Sequence, residues 1–260
     1  MTVQELEGTG RRRADAASAH YVYGVVASAS ASAVRAEGVA GARVERVPFR
    51  KVAALVSEVP VPIRAKRREL MSHAEVLNEL AADDTVLPLR FGTTFPDAET
   101  VVADFLEPRH DELVRLLKQY DGRVELLVKA YYREDAILAE ILREEPRIAK
   151  LRAVTRARPA AAAHAERIEL GSAVARALEA RTAADGAAIL DTLRPFAHEV
   201  HVDDTPIEHQ VVKASALVSR RDVPKVDKAL NTLAERNAGR IHFKYVGPLA
   251  PHSFVSMEAR

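Results

Sequence analysis

The chain has 260 residues, 38 Lys and Arg against 37 Asp and Glu, and no cysteine. That length suits two modest domains. The near-zero net charge gives no electrostatic drive toward nucleic acid or an anionic membrane, and the missing thiols exclude disulfides, thiolate catalysis and Cys-based zinc sites.

Residues 1–19 are polar and rich in Ala and Arg, which predicts a disordered basic tail. The arginines at 11–13 followed by a short apolar stretch outline a secretory signal. Glu5 and Glu7 precede them, Asp15 follows, and the apolar core from residue 21 to 27 is short and rich in β-formers. The reading is therefore a tail followed by a buried strand, HYVYGVVA. No run approaches the roughly 20 apolar residues of a membrane span. SASASAVRAEG is weakly helical, with a stop at Gly38 or Gly41. ARVERVPF alternates as a strand and KVAALVSEV follows almost at once as another, which predicts a hairpin around Phe49 to Lys51. PVPIRAKRREL is a proline-stiffened connector whose Lys66, Arg67 and Arg68 face solvent. ELMSHAEVLNELAADD places Leu70, Ala74, Val76, Leu77 and Leu80 on the inward face of a helix, and TVLPLRF follows as a short strand.

A helical pattern then covers residues 97–120, with Pro108 as its kink. Asp121 and Gly122 mark a turn. RVELLVKAYY is a strand, and residues 133–188 are helical with breaks near Pro146 and Pro159. FAHEVHVDD and EHQVVKASALVSR are strands. RDVPKVDKALNTLAERNA is an amphipathic helix with Val226, Leu230 and Leu233 inward. GRIHFKYVGP is the closing strand, ended by Gly247 and Pro248 because proline cannot donate to a ladder. Both series follow a βαββαβ order. The expected fold class is α+β: two ferredoxin-like sheet domains, residues 20–121 and 122–260, the second with inserted helices and an apolar, proline-containing tail.

Enzyme signatures are missing. Neither a Gly-rich phosphate loop nor HExxH appears, and LGSAV at 170–174 has the wrong residues for a nucleophile elbow. The richest set of metal-ligand types is His198, Glu199, His201, Asp203, Asp204, Glu208 and His209. On a strand His198 and His201 point to opposite faces, so a polar strand end is expected rather than a zinc site. Arg90 sits in the apolar VLPLRFGTTF. It is read as a pin between strand and a helix acid such as Glu75, Glu79 or Asp104, with Gly92 allowing the turn; binding a carboxylate is the functional alternative.

YVYGVV, LMSHAEVLNELAADDTVLPLRFGTTF, VELLVKAYY, RIELGSAVARAL and GRIHFKYVGPLAPHSFV, in this order, together resemble the gas vesicle protein F/L family. VLPLRFGT and GPLAPHSFV are the most specific pieces. In the ending, Ala250 replaces a proline and His252 an aromatic of the family pattern, which makes tail contacts less transferable. The resemblance implies a non-enzymatic accessory protein of gas vesicle assembly. It implies partners in the hydrophobic shell protein and other vesicle proteins, a cytoplasmic place on the vesicle, and no cofactor or metal. Arg90, Phe91, Gly92, Gly247, Pro248, Leu249 and Phe254 are the candidate structural or partner-contact positions. Leu249, Phe254 and Val255 either cover a seam between the domains or reach a partner. A small-molecule-binding module is the alternative function, and a metal-dependent enzyme built on residues 198–209 a distant third.

Overall fold

The computed structural model describes residues 18–205 and 207–255. The predicted tail therefore lies outside the described residues except for Ser18 and Ala19, which already belong to the first strand, and Arg11, Arg12 and Arg13 lie outside altogether.

The first half contains β1 (Ser18–Ala27), β2 (Glu45–Phe49), β3 (Val52–Pro60), α1 (Arg67–Asp83), β4 (Val86–Pro88), β5 (Thr94–Phe95), the short turn α2 (Ala98–Thr100) and α3 (His110–Gln119). The second contains β6 (Arg123–Tyr132), α4 (Glu134–Glu144), α5 (Pro146–Ala157), α6 (His164–Leu193), β7 (Ala197–Val202), β8 (Gln210–Ser219), α7 (Val223–Arg236) and β9 (Ile241–Leu249). The strands form two antiparallel sheets, ordered β2-β3-β1-β4 with β5 also on β1, and β7-β8-β6-β9. Each sheet thus places its second, third, first and fourth strands side by side. The β2–β3 hairpin turns at Arg50 and Lys51, where the alternation predicted it.

Both faces of the first sheet are apolar because both are covered. Val22, Val25, Val52, Ala54 and Val56 face Phe105, Leu106, Leu113 and Leu117. Tyr21, Tyr23, Val26, Ala53 and Leu55 face Val76, Leu77 and Leu80 of α1. The second sheet has one such face, where Val124, Leu126, Val128 and Ala130 meet Ile137, Ile141, Ile189, Leu193, Val226 and Leu230. Its helices are clamped by ion pairs: Arg240 reaches Glu140 of α4 and, at 2.7 Å, Asp185 of α6, while Arg181 holds Glu144 at 3.0 Å.

Several expectations are corrected. SASASAVRAEG is not helical; it is an irregular connection ending in a 3-10 turn at Val39–Gly41. It has no apolar stripe to bury, and acids of α1 take amides at its end instead. Glu79 accepts from the amides of Arg35 and Ala36 at 3.0 and 2.8 Å, and Glu69 from that of Ala40 at 2.7 Å. The inward face of α1 is His73, Val76, Leu77, Leu80 and Ala81, whereas Leu70 is 45% exposed. Arg67 and Arg68 open α1 rather than sit in a connector. Arg90 lies beyond the strand, which ends at Pro88, and is exposed. Proline 248 does not end β9, which continues to Leu249. β9 is an edge strand paired only with β6, so a residue lacking an N–H is tolerated where the register shifts between Leu127 and Glu125.

The halves meet at polar pins as well as apolar contacts. Arg220, just after β8, donates to the carbonyls of Ala81 and Asp84 at 3.1 and 2.7 Å. It thereby caps the C-terminal end of α1, where a cation suits the helix dipole. Replacing Arg220 with Met is expected to lower the unfolding free energy by about 1–2 kcal/mol, because the carbonyls lose a charged donor. A urea midpoint equal to that of the wild type would show that solvent satisfies those carbonyls as well.

Candidate functional site

The motif-bearing segments YVYG, LMSHAE, LRFGT and APHSFV lie far apart in the chain and converge on one buried knot. It begins with tyrosines two apart on β1, which share a face because strand side chains alternate. Tyr21 and Tyr23 are 0% exposed and point toward α1. The His73 ring on α1 stacks on Tyr23 at 5.7 Å, and its Nδ1 meets the Tyr21 hydroxyl at 2.8 Å. Tyr21 and Tyr23 pack edge to face, 4.9 Å between ring centres. Phe91 closes the cluster with edge contacts of 5.8 Å to both Tyr21 and His73. The Tyr23 hydroxyl donates to Ser57 at 2.9 Å and accepts from the Val39 amide at 2.7 Å, so no polar atom of the tyrosines is stranded.

Burial sets the electrostatics. It pushes the Tyr21 hydroxyl up, against a smaller opposing pull from the Gly92 amide. Burial first, and the nearby His252 second, push His73 down to about 4. At neutral pH the knot is uncharged: a histidine that does not accept a proton beside phenols that do not release one. The arrangement offers no activated nucleophile and no poised acid–base pair.

LRFGT supplies the turn between β4 and β5, which both lie along β1. Gly92 takes φ +94°, a conformation that favours glycine, and its amide points at the Tyr21 hydroxyl at 3.3 Å. Arg90 stands at the rim of a recess of about 250 Å³ that it shares with Pro88, Leu89, His252, Ser253 and Phe254. The predicted partner Glu79 is engaged by the backbone amides of residues 35 and 36.

The tail enters this seam from the second half. Gly247 crosses β6 so closely that a Cβ there would lie 2.5 Å from Leu126 Cδ2. Pro248 and Leu249 are half-buried. Ala250 is 0% exposed and belongs to the α1 side of the first half's core, while Val255 and Phe254 pack into the other side. Polar contacts fix the path. Asn78 accepts from the Ala250 amide at 3.3 Å, and the Tyr120 hydroxyl donates to the Phe254 carbonyl at 2.9 Å. Glu125, 3% exposed on β6, accepts from the amide and hydroxyl of Ser253 at 2.8 and 2.7 Å. The tail thus completes the first half's core rather than projecting from the molecule.

Sequence reading missed Tyr21, Tyr23, His73 and Glu125 as a set. The signals were a histidine three and four residues before Val76 and Leu77, and an acid inside the apolar strand RVELLVKAYY. The region 198–209 does not assemble. His198 bonds Ser219 at 2.9 Å, Asp203 is taken by Lys213, and His209 lies 3.8 Å from Glu134. Among the described residues no group of three or more His, Asp or Glu side chains converges to hold a metal. Among them, too, no helix is long and apolar enough to cross a membrane.

Known proteins match this chain over nearly all of its length. A family model described as gas vesicle synthesis protein GvpL/GvpF matches residues 19–256. Gas vesicle protein F of Streptomyces sp. (strain CB03234) is 33% identical over 238 residues, covering 90% of this chain and 98% of that protein. Gas vesicle protein L of the same strain is 33% identical over 132 residues, covering 48% of this chain and 43% of its own. The crystal structure of GvpF from Anabaena sp. PCC7120 superposes with a TM-score of 0.78 at 25% identity, over 93% of this chain and 99% of that one. GvpF from Microcystis aeruginosa superposes at 0.73 and 21% identity, over 92% and 99%, and supports the fold alone.

Proposed function

Because the chain belongs to the gas vesicle GvpL/GvpF family, we propose that it is a non-enzymatic accessory protein of gas vesicle assembly that binds the hydrophobic shell subunit and other vesicle proteins. The observation that carries this reading is the match of the family model from residue 19 to 256, which spans both sheets and the docked tail. The knot around His73 is consistent with it, since its groups are neutral and mutually satisfied rather than arranged for chemistry. Near-complete coverage of the F-type relative, against 43% of the L-type one, favours an F-type role.

The physical need is clear. A gas-filled shell requires a very apolar inner surface, so its subunit exposes an aggregation-prone patch before assembly. A partner that covers that patch, through a sheet edge or an apolar surface, can deliver the subunit to the growing shell. On this reading the protein works in the cytoplasm at the vesicle. Its halves, residues 20–121 and 122–260, are two ferredoxin-like domains, the first with its initial crossover helix reduced to a loop; the shared strand order supports that assignment. Arg90, Gly247, Pro248, Leu249 and Phe254 then serve the interlock between the domains, and Phe91 and Gly92 the aromatic knot, rather than partner contact.

Cells lacking the protein are expected to show absent or stunted vesicles by electron microscopy, and the tagged protein to co-purify with the shell subunit. Normal vesicles together with no co-purifying vesicle component would refute the proposal.

A further inference from the structure

The C-terminal end of α6 and helix α7 leave a groove of about 510 Å³ between them. Its floor includes Phe196, Ala229 and Leu233, all half-buried, and its rim carries Lys225, Lys228 and Arg236. The rim positions on α7 are three and eight residues apart, with Thr232 bridging the longer step, so one helix face presents the cations in a row. Phe196 and Lys225 also line the adjoining recess together with Arg221, which extends the basic rim past the start of β7. Asp222 pairs with Lys225 at 2.7 Å and with Arg221 at 3.7 Å. Among the described residues Lys228 and Arg236 have no ion-pair partner.

The chain as a whole carries a formal charge of +1, so this is a local concentration of charge around an apolar floor rather than a basic protein. We propose that the groove binds an acidic amphipathic helical segment of a partner protein. Apolar side chains at helical spacing would sit on Phe196 and Leu233, and carboxylates would meet Lys228 and Arg236. The charge complementarity selects an acidic partner, and the concave apolar floor selects a helix edge. A nucleic-acid strand fits less well, because successive bases need successive exposed rings and the floor has one half-buried phenylalanine. The polar recess on the other face of the second sheet is a weaker candidate, since Asp203 with Lys213 and Glu125 with Ser253 already pair inside it.

The test is a fluorescence-anisotropy titration of the full chain into a labelled peptide of about four helical turns, with leucine at every third or fourth position and glutamate elsewhere. A peptide with lysine in place of glutamate and a poly(U) strand of equal length are run beside it. Saturable binding of the glutamate peptide alone is expected, weakening with added salt. The double variant Lys228→Glu, Arg236→Glu is expected to weaken it about tenfold or more, and Lys118→Glu on α3 to leave it unchanged. Circular dichroism confirms that both variants fold. Absence of saturable binding, equal binding of the lysine peptide or poly(U), or an unchanged affinity in the folded double variant would overturn the proposal.

Discussion

A chain ending at Leu249 is expected to unfold with about 3–6 kcal/mol less stability than the full protein. The loss has an apolar and a polar part. Ala250 and Val255 leave sites that are 0% and 7% exposed, and half-buried Phe254 leaves the same core. Burying one aliphatic side chain of that size is worth about 1.5–3 kcal/mol. Glu125 meanwhile loses both hydrogen bonds from Ser253 while remaining at the base of the seam. A carboxylate deprived of its donors in a buried position costs about as much again. Chemical denaturation followed by circular dichroism measures the difference. Equal midpoints, combined with loss of binding to vesicle components, would instead make the tail a partner-recognition segment.

Acid is expected to weaken the fold through His73. In the folded protein this ring is held neutral down to about 4, while in the unfolded chain it titrates near the ordinary 6.5. Above pH 6.5 neither state binds the proton, and the stability is fully present. As the pH falls from 6.5 toward 4, the unfolded chain takes up a proton that the folded one refuses, and stability drops. Below about 4 both states are protonated and the loss levels off, at about 3 kcal/mol in total. Urea unfolding at neutral pH and at the low end of that window measures it. His73→Gln is expected to start less stable and to lose less over the window. Parallel profiles for the two proteins would place the acid sensitivity elsewhere.

Much of the architecture is legible in the residues. Alternation located the β2–β3 hairpin, Pro108, Pro146 and Pro159 located helix breaks, and the helical spacing of Val226 and Leu230 located the inward face of α7. What failed shares a physical cause. The inward face of α1 is hard to read because Leu70 looks like a core residue and His73 does not, yet the two tyrosines of β1 give His73 a hydrogen bond and a stacking partner. Local propensity makes SASASAVRAEG weakly helical, but the amides of Arg35 and Ala36 go to Glu79, and that of Ala40 just beyond goes to Glu69, on a helix tens of residues later. The role of Pro248 depended on whether β9 lay at an edge, which one strand's sequence does not encode. The site was the least legible part. Its segments stand out in the sequence, but their meeting point is a tertiary fact. Only the acid in RVELLVKAYY and the histidine in LMSHAE carried a hint of it.

The docked tail also orders events during synthesis. Residues 250–255 follow every other described element in the chain, yet Ala250 and Val255 complete opposite faces of the first sheet. Domains usually fold as units, the N-terminal one first as it leaves the ribosome. Here the first sheet emerges early and keeps open sites until the second half has been made and β9 has paired with β6. Closing those sites and bringing the halves together are one event, so a nascent or truncated chain presents the apolar seam that the finished protein hides.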